Sequence, residues 1–321
     1  MVFLALALFG CDLGHPETRS PQGPPLRLLS TYPEDGEGLE CTPDSGADCG
    51  VPINANVQLR FDRYLLPSTV VRQSVEVATG SASAFLQPQY DAIERVAVFA
   101  IANGGTWQPG TRYTVELLVA ESSPDGWGFR AFDGAQLDED SPVPIRFTFR
   151  TRRAVQPAVD PGPTPDWGAI AEVIDRGGCA QATCHAPPAP SMGLDLSSTE
   201  ALEATAINEA AHQTESEPNA VEVLENPARF GVQMPILDRG MPGNSYLFYK
   251  LLIDPRAYAE TCESRYSAPL TGCIAPPKEE VERARGWFIH GEPMPSSEDA
   301  LSVDDLLVLQ RWIAGGAPLE E

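Results

Sequence analysis

The residues with the most evident chemistry stand in one short run, Gly177-Gly178-Cys179-Ala180-Gln181-Ala182-Thr183-Cys184-His185. Two thiols can each form a thioether to a porphyrin edge, and an imidazole can bind the iron at its centre. The usual spacing for that attachment is C-x-x-C-H; here four residues separate the cysteines. The demanding part of the pattern is the adjacency of Cys184 and His185, because the histidine must reach the iron from the side on which the thioethers form. The gap between the cysteines only has to loop out, and Gln181, Ala182 or their neighbours can bulge without moving Cys184 or His185. The same residues admit a second chemistry, a Cys179–Cys184 disulfide beside a surface histidine.

A six-coordinate haem iron needs a further ligand, and methionine or histidine is the usual choice, methionine raising the reduction potential. The methionines are Met1, Met192, Met234, Met241 and Met294. Met294 lies in Gly-Glu-Pro-Met-Pro-Ser-Ser, a loop that feeds the last helix of the chain, and is the first choice. Met234 in Gln-Met-Pro and Met241 in Gly-Met-Pro compete, with His212 and His290 behind them. No residue pattern supplies a nucleophile, a poised general base or a second metal site. Full coordination would leave no open iron position. The expectation is therefore an electron carrier rather than an enzyme, with haem c as its one cofactor.

The chain that must position these groups has 321 residues and a net charge of −23, with 31 prolines. This length fits two domains. The charge excludes nucleic acid as a partner, since phosphates would be repelled. Residues 26–153 carry 11 basic and 17 acidic side chains, and residues 167–321 carry 10 and 24. A charge-steered redox partner of the second half would dock through a basic patch.

The first eleven residues, MVFLALALFGC, are apolar and too few to span a bilayer, which takes about 20. They read as the apolar region of a signal peptide. Leu8-Phe9-Gly10-Cys11 resembles a bacterial lipobox, which implies lipid on Cys11, anchoring to a membrane and a place in the cell envelope, periplasmic or at the outer surface. Export brings oxidising conditions. Cys41 and Cys49 bracket one polar loop and Cys262 and Cys273 another, and both pairs are expected to be disulfides.

Residues 12–26 hold four prolines and read as a tether. Residues 154–166 hold four more and form the clearest boundary between domains at 27–153 and 167–321. The first domain alternates with period two: Val57, Leu59 and Phe61 against Gln58, Arg60 and Asp62; then Tyr113, Val115, Leu117 and Val119; then Ile145, Phe147 and Phe149. With further runs near 28–32, 70–78, 84–90 and 95–101, about seven short strands point to an antiparallel sandwich. Trp127, Phe129 and Phe132 are expected to cover its end. The second domain is mainly helical. A helix capped by Asp166 carries Trp167, Ile170, Val173 and Ile174 on one face and stops at Gly177. Further helices are expected over 197–213 and 244–252. The last is capped by Ser302, has Asp304 and Asp305 in its first turn, bears Leu306, Leu309, Trp312 and Ile313 as an apolar stripe, and stops at Gly315.

Two resemblances follow from these blocks. TYPEDGEG, VPINANVQLRFDRYLLPSTV, WQPGTRYTVELL and PIRFTFRT together resemble a bacterial Ig-like domain, which implies a spacer or binding module with no chemistry of its own. GGCAQATCH, GLDLSSTEAL, PGNSYLFYKLL and MPSSEDALSVDDLLVLQRWIAGGAP resemble the planctomycete-type cytochrome c domains also found in myxobacterial lipoproteins. That resemblance implies Cys179 and Cys184 as attachment points and His185 and Met294 as axial ligands, with residues 251–290 as an insertion. The chain is thus expected to be multidomain, an all-β Ig-like sandwich before a mainly α cytochrome c-like domain. The alternatives are a surface binding or structural lipoprotein whose cytochrome-like half lacks haem, and a haem sensor or enzyme with a displaceable sixth ligand.

Overall fold

The computed structural model describes residues 23–42, 44–46, 49–79, 82–120, 126–153, 164–211, 234–258, 270, 274–289, 291–295 and 301–320. Cys11, His212, Cys262, Cys273 and His290 lie outside the described residues, and with them the lipid anchor and the second disulfide expected above.

Eight strands form among the described residues: β1 (Leu28–Tyr32), β2 (Val57–Phe61), β3 (Val75–Thr79), β4 (Ala82–Ser83), β5 (Leu86–Asp91), β6 (Val96–Ile101), β7 (Arg112–Leu117) and β8 (Arg146–Arg150). They make two four-stranded antiparallel sheets, ordered β1-β2-β6-β5 and β4-β3-β7-β8. The alternation sets the register. Tyr113 lies opposite Phe149 and Val115 opposite Phe147, all four buried, so a slip of one residue would turn this face outward. Trp107 fills the space beside them, 4.8 Å from the Tyr113 ring and 5.7 Å from Phe149, and its Nε1–H donates to the Ala55 carbonyl at 2.6 Å. The run at 70–78 differs from expectation at its start: Arg72–Ser74 is a 3-10 turn, and only from Val75 does the chain extend. Cys41 and Cys49 are joined as a disulfide, and the Arg150 guanidinium holds this loop by donating from Nη1 to the Cys41 carbonyl at 3.1 Å.

The second half carries five helices among the described residues: α1 (Trp167–Arg176), α2 (Thr199–Thr205), α3 (Tyr246–Leu252), α4 (Lys278–Trp287) and α5 (Val303–Ala314). None is long and apolar enough to cross a membrane. Asp166 caps α1 by accepting from Ala169 N at 2.9 Å. At α5, Ser302 and Asp305 form a reciprocal capping box, which satisfies two otherwise orphaned N–H groups. Helix α2 is shorter than the apolar spacing suggests. After Thr205 the chain turns extended, and Ile207 and Ala210 pair with Leu237 and Pro235. Helix α4 falls in the stretch read as an insertion. Its KEEVERAR sequence has no apolar stripe, yet Glu280, Ala284 and Trp287 are buried.

The reason lies in how the halves meet. The apolar core is continuous from the sandwich into the helices. Phe132 packs 5.7 Å from Phe288 and 6.3 Å from Trp287, and Tyr64 stands edge-on to Tyr249 at 5.4 Å. Phe129 is also buried, but inside the sandwich against Phe61. Charged groups line the same junction. Arg63 donates through Nη1 to the Pro24 carbonyl (2.7 Å), through Nη2 to Asp133 (2.8 Å) and through Nε to Glu280 (2.9 Å). Arg60 pairs with Glu94 at 2.5 Å and donates to the Leu270 carbonyl. Arg60 lies on the face of β2 opposite the sandwich core and is nonetheless 2% exposed, because the second half covers that face.

Candidate haem-attachment site

Helix α1 delivers the motif. Gly177 ends it with its N–H on the Val173 carbonyl (3.1 Å), and Cys179 N follows on Ile174 O (3.0 Å). Gly178 takes φ +61°, a left-handed conformation that glycine adopts without strain and that turns the chain out of the helix. A side chain at Gly177 would also collide, since its Cβ would lie 2.8 Å from Cys179 Sγ and 3.2 Å from the Leu301 side chain. Helix α5 packs against α1, and Arg176 in the last turn of α1 donates to Asp305 in the first turn of α5 at 2.5 Å.

The four residues between the cysteines fold into a turn. Cys184 N donates to Gln181 O (2.8 Å) and His185 N returns to Cys179 O (3.0 Å), leaving Gln181, Ala182 and Thr183 exposed. The turn after the motif is equally tied down, with Ser191 N on Cys184 O (2.7 Å) and Leu196 N on His185 O (2.8 Å). Cys179, Cys184 and His185 are thus gathered in one hydrogen-bonded loop, each half-buried.

The His185 ring is oriented by its Nδ1, 3.3 Å from the Leu194 carbonyl. A carbonyl can only accept, so this contact favours the tautomer with its proton on Nδ1, the form whose Nε2 lone pair can bind a metal. Burial holds the imidazole below the ordinary histidine range, against the opposing pull of backbone groups at Leu194 and Ser191. Both cysteines are free thiols. Burial, and then the neighbouring Cys184, push the Cys179 thiol up to about 11. Among the described residues, the one trio of metal-ligand atoms within 4.8 Å of one another is Glu40, Cys41 and Cys49, and its sulfurs are already joined. Cys179, Cys184 and His185 do not converge that tightly, so a single tetrahedral ion is a poor fit to them.

The methionines separate by environment. Met294 is half-buried against the common core, and its N–H donates to the Lys250 carbonyl of α3 at 3.2 Å. Met234 is buried in the packing around α2, whereas Met241 and Met192 are exposed. The structure holds the Met294 segment on α3, apart in sequence from the turn that carries His185. Sequence reading missed the Leu194 carbonyl and the Arg176–Asp305 contact. The first works through backbone and leaves no side-chain signal; the second joins residues 129 apart.

Comparison with known proteins bears on the first half. Residues 24–127 match the bacterial Ig-like domain. No curated protein matches the chain. Among solved structures, the N-terminal part of the bacterial S-layer protein SbsC is similar over 41% of this chain and 24% of that one, at 10% identity and a TM-score of 0.27. An L,D-transpeptidase from Mycobacterium smegmatis is similar over 29% of this chain and 36% of that one, at 12% identity and a TM-score of 0.22. The Ig-like match and the disulfide within the same region point to an extracellular or cell-surface protein.

Proposed function

We propose that the protein is an exported, lipid-anchored c-type cytochrome of the cell envelope whose residues 167–321 hold one covalent haem and pass single electrons. The observation that carries this reading is the donor set of one loop. Cys179 and Cys184 stay unpaired in a chain that joins Cys41 to Cys49, and beside them the His185 ring is oriented through Nδ1 by the Leu194 carbonyl. Two reduced thiols and a neutral, oriented imidazole are what haem c requires. Cys179 and Cys184 would hold the haem through thioethers and His185 and Met294 would ligate its iron, and the group would supply one-electron exchange between ferric and ferrous states.

The chain's own residues do the rest. The Leu194 carbonyl fixes the ring plane and basicity of His185. The turn closed by Cys184 N on Gln181 O would absorb the two extra residues of the motif, leaving the Cys184–His185 pair to meet the haem. The 24 acidic against 10 basic side chains of residues 167–321 favour a redox partner with a basic docking patch. Lipid on Cys11 would hold the carrier at a membrane. The test is expression with a cytochrome c maturation system and a pyridine haemochrome assay. Covalent haem is expected; a colourless protein with intact fold would end this reading. The Ig-like match at 24–127 favours a second reading, a surface binding or structural lipoprotein without haem, and that same colourless result would select it.

A further inference from the structure

The Met-Pro segment is held from two sides by elements that themselves rest on the sandwich. Met294 N–H donates to the Lys250 carbonyl of α3 at 3.2 Å, and the Pro295 carbonyl accepts from Arg256 Nη2 at 3.0 Å. Arg256 is in turn set by buried Asp254, which accepts from its Nη2 (2.7 Å), from its Nε (3.0 Å to each oxygen) and from its backbone N–H (2.9 Å). The stretch from Tyr249 to Tyr258 is therefore the bed on which the methionine lies. That bed is fastened to the sandwich by the Tyr249 ring against Tyr64 and by Tyr258 Oη–H donating to the Ile93 carbonyl at 3.2 Å. Helix α4 precedes the segment in the chain, reaches it through Arg285 Nη2 on the Gly291 carbonyl (3.4 Å), and is itself fastened through Glu280. This fully buried carboxylate accepts from Arg63 Nε (2.9 Å), from Tyr64 N (3.0 Å) and from Arg283 of its own helix (2.9 Å). At the end of α4, Phe288 packs on Tyr249 at 5.2 Å and on Phe132 of the sandwich at 5.7 Å.

We infer that the Ig-like sandwich buttresses the Met294 segment, with Glu280, Arg63 and Tyr258 as positioning residues for the methionine ligand. This rests on the haem reading for what Met294 does, and on the contacts above for how it is held. A ligand atom is useful only if its supporting shell fixes it to a fraction of an ångström. Here that shell is completed by the other half of the chain, which makes the sandwich part of the redox site rather than a spacer.

The test compares Glu280→Gln and Tyr258→Phe with Glu282→Gln, an exposed control on the same helix. Exogenous imidazole competes with the methionine for ferric iron. Both junction variants are expected to bind it more tightly, on the order of tenfold, which is within the range of ordinary coupling between sites. The spectroscopic signature of methionine on iron is expected to weaken in parallel, with the control unchanged. Folded junction variants with wild-type imidazole affinity would overturn the inference. Should Glu280→Gln fail to fold, Tyr258→Phe carries the measurement, since it leaves no charge buried without a partner. If the wild-type chain takes up no haem, the haem reading fails alone, and hydrogen exchange on the haem-free chain decides the buttress. Either junction variant is then expected to accelerate exchange at 291–295 as well as at its own point of contact; acceleration confined to that point refutes the coupling.

Discussion

Replacing Asp305 by Asn tests how the two helices that frame the cysteine–histidine loop are joined. Asp305 Oδ2 accepts from Ser302 N (3.1 Å) and Ser302 Oγ (2.8 Å), while Oδ1 accepts from Arg176 Nη2 (2.5 Å) and Nε (3.1 Å). Losing the acidic half of the capping box costs about 1 kcal/mol. Arg176 is 52% exposed, so its ion pair adds only about 0.5 kcal/mol after solvent screening. The sum, about 1.5 kcal/mol, corresponds to a fall in Tm of roughly 2 °C for a chain of 321 residues. Burial acts to raise the Asp305 carboxyl, but the hydrogen bonds from Arg176 and Ser302 outweigh it and hold the group below the ordinary aspartate range. A folded-state value below the unfolded one contributes stability that is complete above the unfolded pKa of about 3.9 and is lost as pH falls through the folded value. Paired melting curves of wild type and Asp305→Asn should therefore differ fully at about pH 7 and draw together as the pH falls below the ordinary aspartate range. A gap that persists unchanged into acid, or no gap at neutral pH, refutes the reasoning.

Four further outcomes are expected. Joint replacement of Cys41 and Cys49 by Ala frees a loop closed over a separation of 8 residues, and a loss of about 2.5 kcal/mol is expected by denaturant melting. Gly243→Ala puts a Cβ 2.5 Å from the Tyr90 ring carbon at the junction, and overpacking there is expected to cost about 1–3 kcal/mol, with an unchanged Tm showing that the halves are not in firm contact. In haem-free protein the His185 ring should titrate below the usual value of about 6.5, which an NMR titration reads directly; a midpoint at or above it contradicts the burial of the ring. In a haem-free Cys184→Ser variant, alkylation of Cys179 should be slow at neutral pH and accelerate into the alkaline range, as a thiol pushed up by burial requires; rapid labelling at neutral pH would show the thiolate is accessible.

Local signals carried much of the fold. Period-two alternation in Tyr113–Leu117 and Phe147–Phe149 marked the buried faces of β7 and β8 because each face sees a single environment. Asp166 and Ser302 marked helix starts because a short side chain that accepts from a backbone N–H acts within its own turn. The methionine loop and the Cys-His turn were visible as side chains. The carbonyl that orients His185 was not, since any residue at position 194 presents one. Helix α4 was missed for a related reason: its buried positions are Glu280, Ala284 and Trp287, and a glutamate reads as solvent-facing in any pattern of apolar spacing.

Why a glutamate is buried there follows from what the two halves require of one another. Alternation in β2 assigns Arg60 to the face away from the sandwich core but says nothing of what covers that face, and arginine is almost never fully buried unless paired. Arg63 and Glu280 are 217 residues apart and join across the junction. Removing such ions from water is costly, and apolar residues of equal volume would often stabilise a junction as well or better. Charge adds geometry in return. The three nitrogens of Arg63 meet the Pro24 carbonyl, Asp133 and Glu280 in one mutual placement of sandwich and helices. Any shifted docking would leave at least one buried ion without its partner, at several kcal/mol, whereas a purely apolar surface would tolerate the shift. The buried ions thus act as selectors of one arrangement, and the stretch that carries the Met294 segment, which touches the sandwich through Tyr249 and Tyr258, is held in that arrangement.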